Sequence, residues 1–130
     1  RPTGLAYVEG GRVISSCQGL AKILDAASGK EIASLTIGGF PDAVLYDPGR
    51  HLAYIPTGLD GKLWVIGLSG KQDNTIVESV PTQPGARTGA VDLKTGRIYL
   101  PTAEYVPPTE PGKRPQPKPG TFQILVLDRK

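Results

Sequence analysis

Apolar residues come along this chain in short blocks broken by glycine, proline and aspartate, and nowhere do they recur at the three-and-four spacing of a helix face. Blocks at 5–8, 12–17, 21–25 and 31–37 are followed in the same order by blocks at 43–46, 52–57, 63–67 and 75–80. Three of the four return at 89–91, 97–102 and 122–128. Between the first and second block of each set stands a turn, Glu9-Gly10-Gly11, Asp47-Pro48-Gly49 or Lys94-Thr95-Gly96, of the kind that joins antiparallel strands. Ser28-Gly29-Lys30 and Ser69-Gly70-Lys71 precede the fourth block of the first two sets. The pattern predicts strands throughout, and 25–30, the one stretch that could coil, ends in Ser-Gly and reads as a turn.

The blocks form a repeat. Arg12-Val13-Ile14-Ser15-Ser16-Cys17 aligns with Leu52-Ala53-Tyr54-Ile55-Pro56-Thr57 and with Arg97-Ile98-Tyr99-Leu100-Pro101-Thr102, at offsets of 40 and 45 residues (12 to 52, 52 to 97). Periods of that size suit four-stranded propeller blades. The expected fold is all-β: about three antiparallel blades at 1–38, 39–82 and 83–130, the last without its outer strand.

Composition narrows the function more than the fold. The 17 glycines and 13 prolines lie between apolar runs, as turns require. Of 15 basic residues, Lys113, Arg114, Lys118 and Lys130 fall in a proline-rich segment or at the C-terminus. That leaves no basic face interleaved with aromatics and argues against nucleic acid. Cys17 is the one cysteine and His51 the one histidine, which excludes an intrachain disulfide, a cysteine cluster and a two-histidine metal site. A Ser-His-Asp triad is disfavoured because His51 falls in the turn between the first two strands of its unit, on the face opposite the proposed site. No apolar run is long enough to span a membrane as a helix. The start at Arg1, without methionine, reads as a mature product or a fragment.

The segments Tyr54-Ile55-Pro56-Thr57, Tyr99-Leu100-Pro101-Thr102, Ile23-Leu24-Asp25-Ala26-Ala27-Ser28-Gly29-Lys30 and Gly38-Gly39-Phe40-Pro41 give the chain a resemblance to the YVTN-repeat (YncE-like) β-propellers over essentially its whole length. Two places depart from that pattern: Gly67 stands where the repeat has an aspartate, and Ser15-Ser16-Cys17 replaces a Tyr-Val-x-Thr strand. The resemblance implies closed rings of about seven blades. It also implies export to the periplasm or cell surface, commonly without a known activity.

Three blades leave two apolar faces and long strand edges uncovered. The expected remedy is a homodimer closing a six-bladed ring, each chain end completing a blade of the other copy. The alternative is a piece of a longer propeller.

In a propeller the loops joining strand four to strand one, and strand two to strand three, share one face at the channel mouth. The first set offers Asp42 and Arg87 at near-equivalent positions, either as a contact between blades or as an anion clamp built on the guanidinium fork. The second set offers Thr57, Asp60, Thr102, Glu104 and Tyr105, with Cys17 aligned on the two threonines. Threonine also suits strands and bonds nearby backbone, and Cys17 also reads as a small buried residue. Asp42, Asp60 and Glu104 are candidate ligands for a calcium-like divalent cation. Trp64 reads as core between blades. The stretch 106–120, with Pro107, Pro108, Pro111, Pro115, Pro117 and Pro119, reads as an extended loop without strand or helix, either a surface loop, a lid over the mouth or a docking arm.

No nucleophile with its base and no acid–base pair is visible, so the sequence favours a binding or interaction module for a small anionic ligand, glycan or protein. The alternative is a metal-dependent hydrolase of the lactonase or phosphotriesterase propeller type. There Asp42, Asp60 and Glu104 would be ligands and Arg87 an electrophilic clamp.

Overall fold

The computed structural model describes residues 1–128. Blade 1 is a four-stranded antiparallel sheet of β1 (Pro2–Val8), β2 (Arg12–Cys17), β3 (Leu20–Asp25) and β4 (Glu31–Thr36), in sheet order β1-β2-β3-β4. Blade 2 repeats it with β5 (Leu45–Asp47), β6 (Leu52–Thr57), β7 (Lys62–Gly67) and β8 (Thr75–Pro81), in order β5-β6-β7-β8. Blade 3 has β9 (Ala90–Val91), β10 (Ile98–Thr102) and β13 (Gln123–Leu127), in order β13-β10-β9. These are β-propeller blades, and among the described residues the third has no outer strand.

Register is shared between blades. Ile14 lies opposite Ile23, Tyr54 opposite Val65 and Tyr99 opposite Val126. The outer ladder of each complete blade shifts at one equivalent point, between Ile23 and Leu24 in blade 1 and between Val65 and Ile66 in blade 2. An extra residue there turns the fourth strand more sharply than the sheet's own twist.

Because successive side chains in a strand alternate faces, each blade carries two apolar surfaces. The trailing face of blade 1 (Val8, Ile14, Ala21, Ile23) meets the leading face of blade 2 (Ala53, Ile55, Ile66, with Trp64 partly buried) in one core cluster. The trailing face of blade 2 (Leu45, Tyr54, Leu63, Val65) meets Ile98, Leu100, Leu125 and Leu127 of blade 3 in a second. The inner strands crowd at the hub. A Cβ on Gly4 would stand 3.0 Å from the Ala43 backbone, and one on Gly89 would stand 3.3 Å from Cδ1 of Leu45 on the inner strand of blade 2.

Arginines bolt the joints on the face opposite the channel mouth. Arg12 reaches from blade 1 to the Leu68 carbonyl at 2.9 Å, to Asp73 at 2.8 Å and to Asn74 at 2.6 Å on blade 2. Arg50, ion-paired at 3.0 Å to the buried carboxylate of Asp47, donates to the carbonyls of Leu93 and Lys94 on blade 3.

Two expectations change. The proline-rich stretch does hold strand: β11 (Tyr105–Val106) pairs with β12 (Gln116–Pro117) in a two-residue ladder. Proline cannot donate to a ladder, but a ribbon this short needs no bond from Pro117 itself, and the remaining prolines fall outside the pairing. The idea of chain ends completing each other's blades also fails in its simplest form. From Pro2 onward the N-terminal segment is already the inner strand of blade 1, so the described residues leave no spare strand for blade 3.

Candidate functional site

The loops leading into blades 2 and 3 lie side by side at the channel mouth. The Asp42 amide donates to the Arg87 carbonyl at 3.2 Å, and their side chains form a loose pair, Nε to Oδ2 at 3.7 Å. Both groups are about half exposed, so this pair is weak and solvent-screened.

Arg87 faces an open cleft of about 420 Å³ between its own loop and the proline-rich ribbon. Tyr105, Lys118 and Phe122 also line it, with Thr102 and Pro101 from β10. The ribbon's base is fixed in place: the Lys118 amide donates to the Glu104 carbonyl at 2.7 Å, and the Thr121 hydroxyl accepts from the Glu104 amide and donates to the Lys118 carbonyl. Gly85 has φ +90, and a Cβ there would fall 2.2 Å from Tyr105 Cε2. A glycine at that turn leaves room for the edge of the tyrosine ring against the backbone. Lys118 sits 3.8 Å from the Glu104 carboxylate, again a long and exposed pair.

The predicted residues therefore divide. Arg87, Tyr105 and Thr102 border the cleft, Glu104 stands beside it through Lys118, and Asp42 beside it through Arg87. Thr57 does not join them. It is fully buried, its hydroxyl donates to the Asp60 carboxylate and it accepts from Trp64 Nε1 at 3.0 Å. Thr102 is also buried, and its hydroxyl donates to the Pro84 carbonyl at 3.0 Å. The aligned threonines thus tie loops to strands rather than presenting a ring of hydroxyls, and Cys17, half-buried, has its thiol 4.0 Å from the Ser15 hydroxyl.

Asp42, Asp60 and Glu104 do not converge on a cation. Each turns to a different partner, Arg87, Thr57 and Lys118 respectively, and Asp60 also lies directly over Gly38. Among the described residues no three His, Cys, Asp or Glu side chains form a metal-binding group. The calcium-like site does not fit this arrangement.

Sequence reading gives Phe122 only as the first apolar position of a strand, whereas in the structure it stands just ahead of β13 as a wall of the cleft. Its place at the mouth-facing end of that strand was the available signal. Trp64 is core, as expected: it packs in the first cluster, with Lys62 over its ring at 5.6 Å. Among the described residues no helix is long and apolar enough to cross a membrane.

No protein-family model matches the chain. Among curated proteins, a stretch of 100 residues is 32% identical to the ribose-phosphate pyrophosphokinases of two strains of Halobacterium salinarum, covering 76% of this chain and 34% of those enzymes. The chain thus spans about a third of the length of the curated relatives it matches. Among solved structures it is similar to hydrazine synthase of Kuenenia stuttgartiensis, with a TM-score of 0.67 at 13% identity over 78% of this chain and 29% of that one. A chain of the nidogen/laminin complex scores 0.58 at 14% identity, covering 77% of this chain and 39% of its own. Glutaminyl cyclase of Myxococcus xanthus scores 0.52 at 14% identity over 98% of this chain and 57% of the other. At such identities these likenesses bear on the fold alone, and they agree with propeller blades.

Proposed function

We propose that the chain is a binding module whose channel-mouth cleft takes a small anionic ligand with a flat apolar part. The observation carrying this reading is the pairing of two cations, Arg87 and Lys118, with two aromatic rings, Tyr105 and Phe122, around one cleft. Among the described residues each cation has a long, exposed ion pair, at 3.7 and 3.8 Å, that a ligand carboxylate or phosphate can replace. Guanidinium offers such a group two parallel donors, and the rings offer a face to stack on.

The likeness to ribose-phosphate pyrophosphokinase is not carried into an activity. Among the described residues the one helical segment is the 3-10 turn Gly70–Gln72, so no glycine-rich loop opens a helix to cradle a nucleotide phosphate. The hydrolase alternative has no observation in its favour once the three carboxylates are seen to point to separate partners.

Benzoate and its neutral counterpart benzamide test the reading by titration followed in NMR spectra. Benzoate shifts resonances of Tyr105 and Phe122, benzamide binds far more weakly, and Arg87→Gln lowers benzoate affinity by about tenfold, the loss of one charge-assisted bond of ~1.4 kcal/mol. Equal binding of the two probes, or no effect of Arg87→Gln, would sink it.

A further inference from the structure

Away from the end faces of the blade array, the exposed large apolar side chains gather at the channel mouth. Tyr105 and Phe122 line the cleft between blades 2 and 3, with Val106 next along the ribbon. Phe40 and Leu59 stand one joint away, where the loop entering blade 2 meets the β6–β7 turn. Of the rest, Ile32 lies on an outer strand and Leu93 in a turn of the opposite face. Phe40 and Leu59 are 53% and 59% exposed and pack in neither core, so burial within the chain does not account for them.

Phe40 also stands there at a cost to the backbone. Its φ of 56° lies in the left-handed region, which a bulky side chain rarely adopts. The equivalent place before blade 3 is Gly85, two residues ahead of Arg87 as Phe40 is two ahead of Asp42, and its φ is likewise positive at 90°. Glycine holds this conformation without strain. The turn itself therefore does not call for phenylalanine, and the use of the ring lies at the surface.

The two apolar sites belong to one surface. The Gly58 amide donates to the Phe40 carbonyl at 3.0 Å and the Leu59 amide to the Gly39 carbonyl at 3.1 Å, while Leu59 Cδ2 lies 2.7 Å from where a Gly39 Cβ would stand. On its other side the Gly58 carbonyl accepts from the Gly85 amide at 2.8 Å, and a Cβ on Gly58 would come 3.2 Å from Arg87 Cβ. Glycines at 39, 58 and 85 thus keep a low path from Phe40 and Leu59, past Arg87, to the ring of Tyr105. Packed sheets stand about 10 Å apart, which sets the separation of two sites one blade apart.

We propose that the ligand is the C-terminal end of a polypeptide with an aromatic last residue, an inference that rests on the anion-and-ring reading of the cleft and names its chemistry. Such a residue carries a carboxylate beside a flat ring, the two groups that Arg87 and Lys118, with Tyr105 and Phe122, are placed to receive. A free aromatic acid has the same two groups and ends there, leaving the site at Phe40 and Leu59 bare. A chain in the polyproline II form does not: it rises about 3.1 Å per residue and brings every third side chain back to the same side. The side chain three places before the terminus then falls on Phe40 and Leu59.

Three probes test this by titration followed in NMR spectra: acetyl-phenylalanine, the acetylated tetrapeptide leucine-proline-proline-phenylalanine with a free carboxylate, and the same tetrapeptide ending in an amide. The tetrapeptide acid binds about tenfold more tightly than acetyl-phenylalanine, because its leucine gains apolar contact at the second site. It also shifts resonances of Phe40 and Leu59 that acetyl-phenylalanine leaves in place. Ending it in an amide lowers its affinity by about tenfold. Phe40→Gly relieves strain and so keeps the fold, and it brings the ratio of tetrapeptide to acetyl-phenylalanine affinity close to one. Equal affinity of the two acids for the unaltered chain would make the ligand a small aromatic acid, overturning the proposal while leaving the cleft reading intact. Equal affinity of tetrapeptide acid and amide, or a ratio untouched by Phe40→Gly, would overturn it as well. Failure of the cleft reading shows separately, as benzoate that binds no better than benzamide.

Discussion

Thr57 shows how a single side chain can look functional in a sequence and be structural in the fold. Its alignment with Thr102 and Cys17 is real, yet its hydroxyl is spent between the Asp60 carboxylate and the Trp64 indole nitrogen, under complete burial. Thr57→Val removes these bonds and the hydroxyl's longer contact with the Lys62 carbonyl at 3.2 Å while keeping the shape, leaving the indole N–H and a carboxylate oxygen without this partner. A loss of about 1–3 kcal/mol is expected, read as a lower urea midpoint. Gly67 is legible in the same way. It departs from the aspartate of the repeat because the Gln72 carbonyl lies 2.5 Å from where its Cβ would be, so the following turn folds over the position a side chain would need. Sequence alone marks such a residue as different but cannot say which backbone has moved in.

Strand positions were the most legible feature, because β-branched blocks and Gly, Asp and Pro turns act locally, and β2 and β6 fall where the pattern puts them. The ribbon of β11 and β12 was not legible, since a ladder of two residues leaves no alternation to read and proline density pointed the other way. The turns themselves depend on acid. Asp25 accepts from the Ser28 hydroxyl and amide, and Asp92 from the Lys94 amide and the Thr95 hydroxyl. These bonds lower both carboxyls below their ordinary value of 3.8. A carboxyl lowered by folding adds stability above its unfolded value, and that contribution is lost as pH falls through the lowered one. Unfolding midpoints should therefore decline as the pH drops below about 4, and the double variant Asp25→Asn with Asp92→Asn should flatten that decline. An unchanged slope in the double variant would show that these two turns are not its source.

For the molecule as a whole, the repeat fixes what lies inside each blade and says little about what lies beyond the ends. Both cores form because each internal joint sets a trailing face against a leading face, and the same rule leaves the face of Ile124 and Val126 and the face of Leu5 and Tyr7 exposed. The cleft was half legible: Arg87 and Tyr105 could be placed at the mouth from loop order, whereas Lys118 and Phe122 reach it only because the ribbon base folds back through Glu104 and Thr121. Titration of the unaltered chain with benzoate and with benzamide, followed at Tyr105 and Phe122 in NMR spectra, tests the account most directly. The account predicts that benzoate shifts both resonances while benzamide binds far more weakly, since Arg87 and Lys118 at the cleft offer charge that an anion can take. Equal binding of the two probes would contradict it.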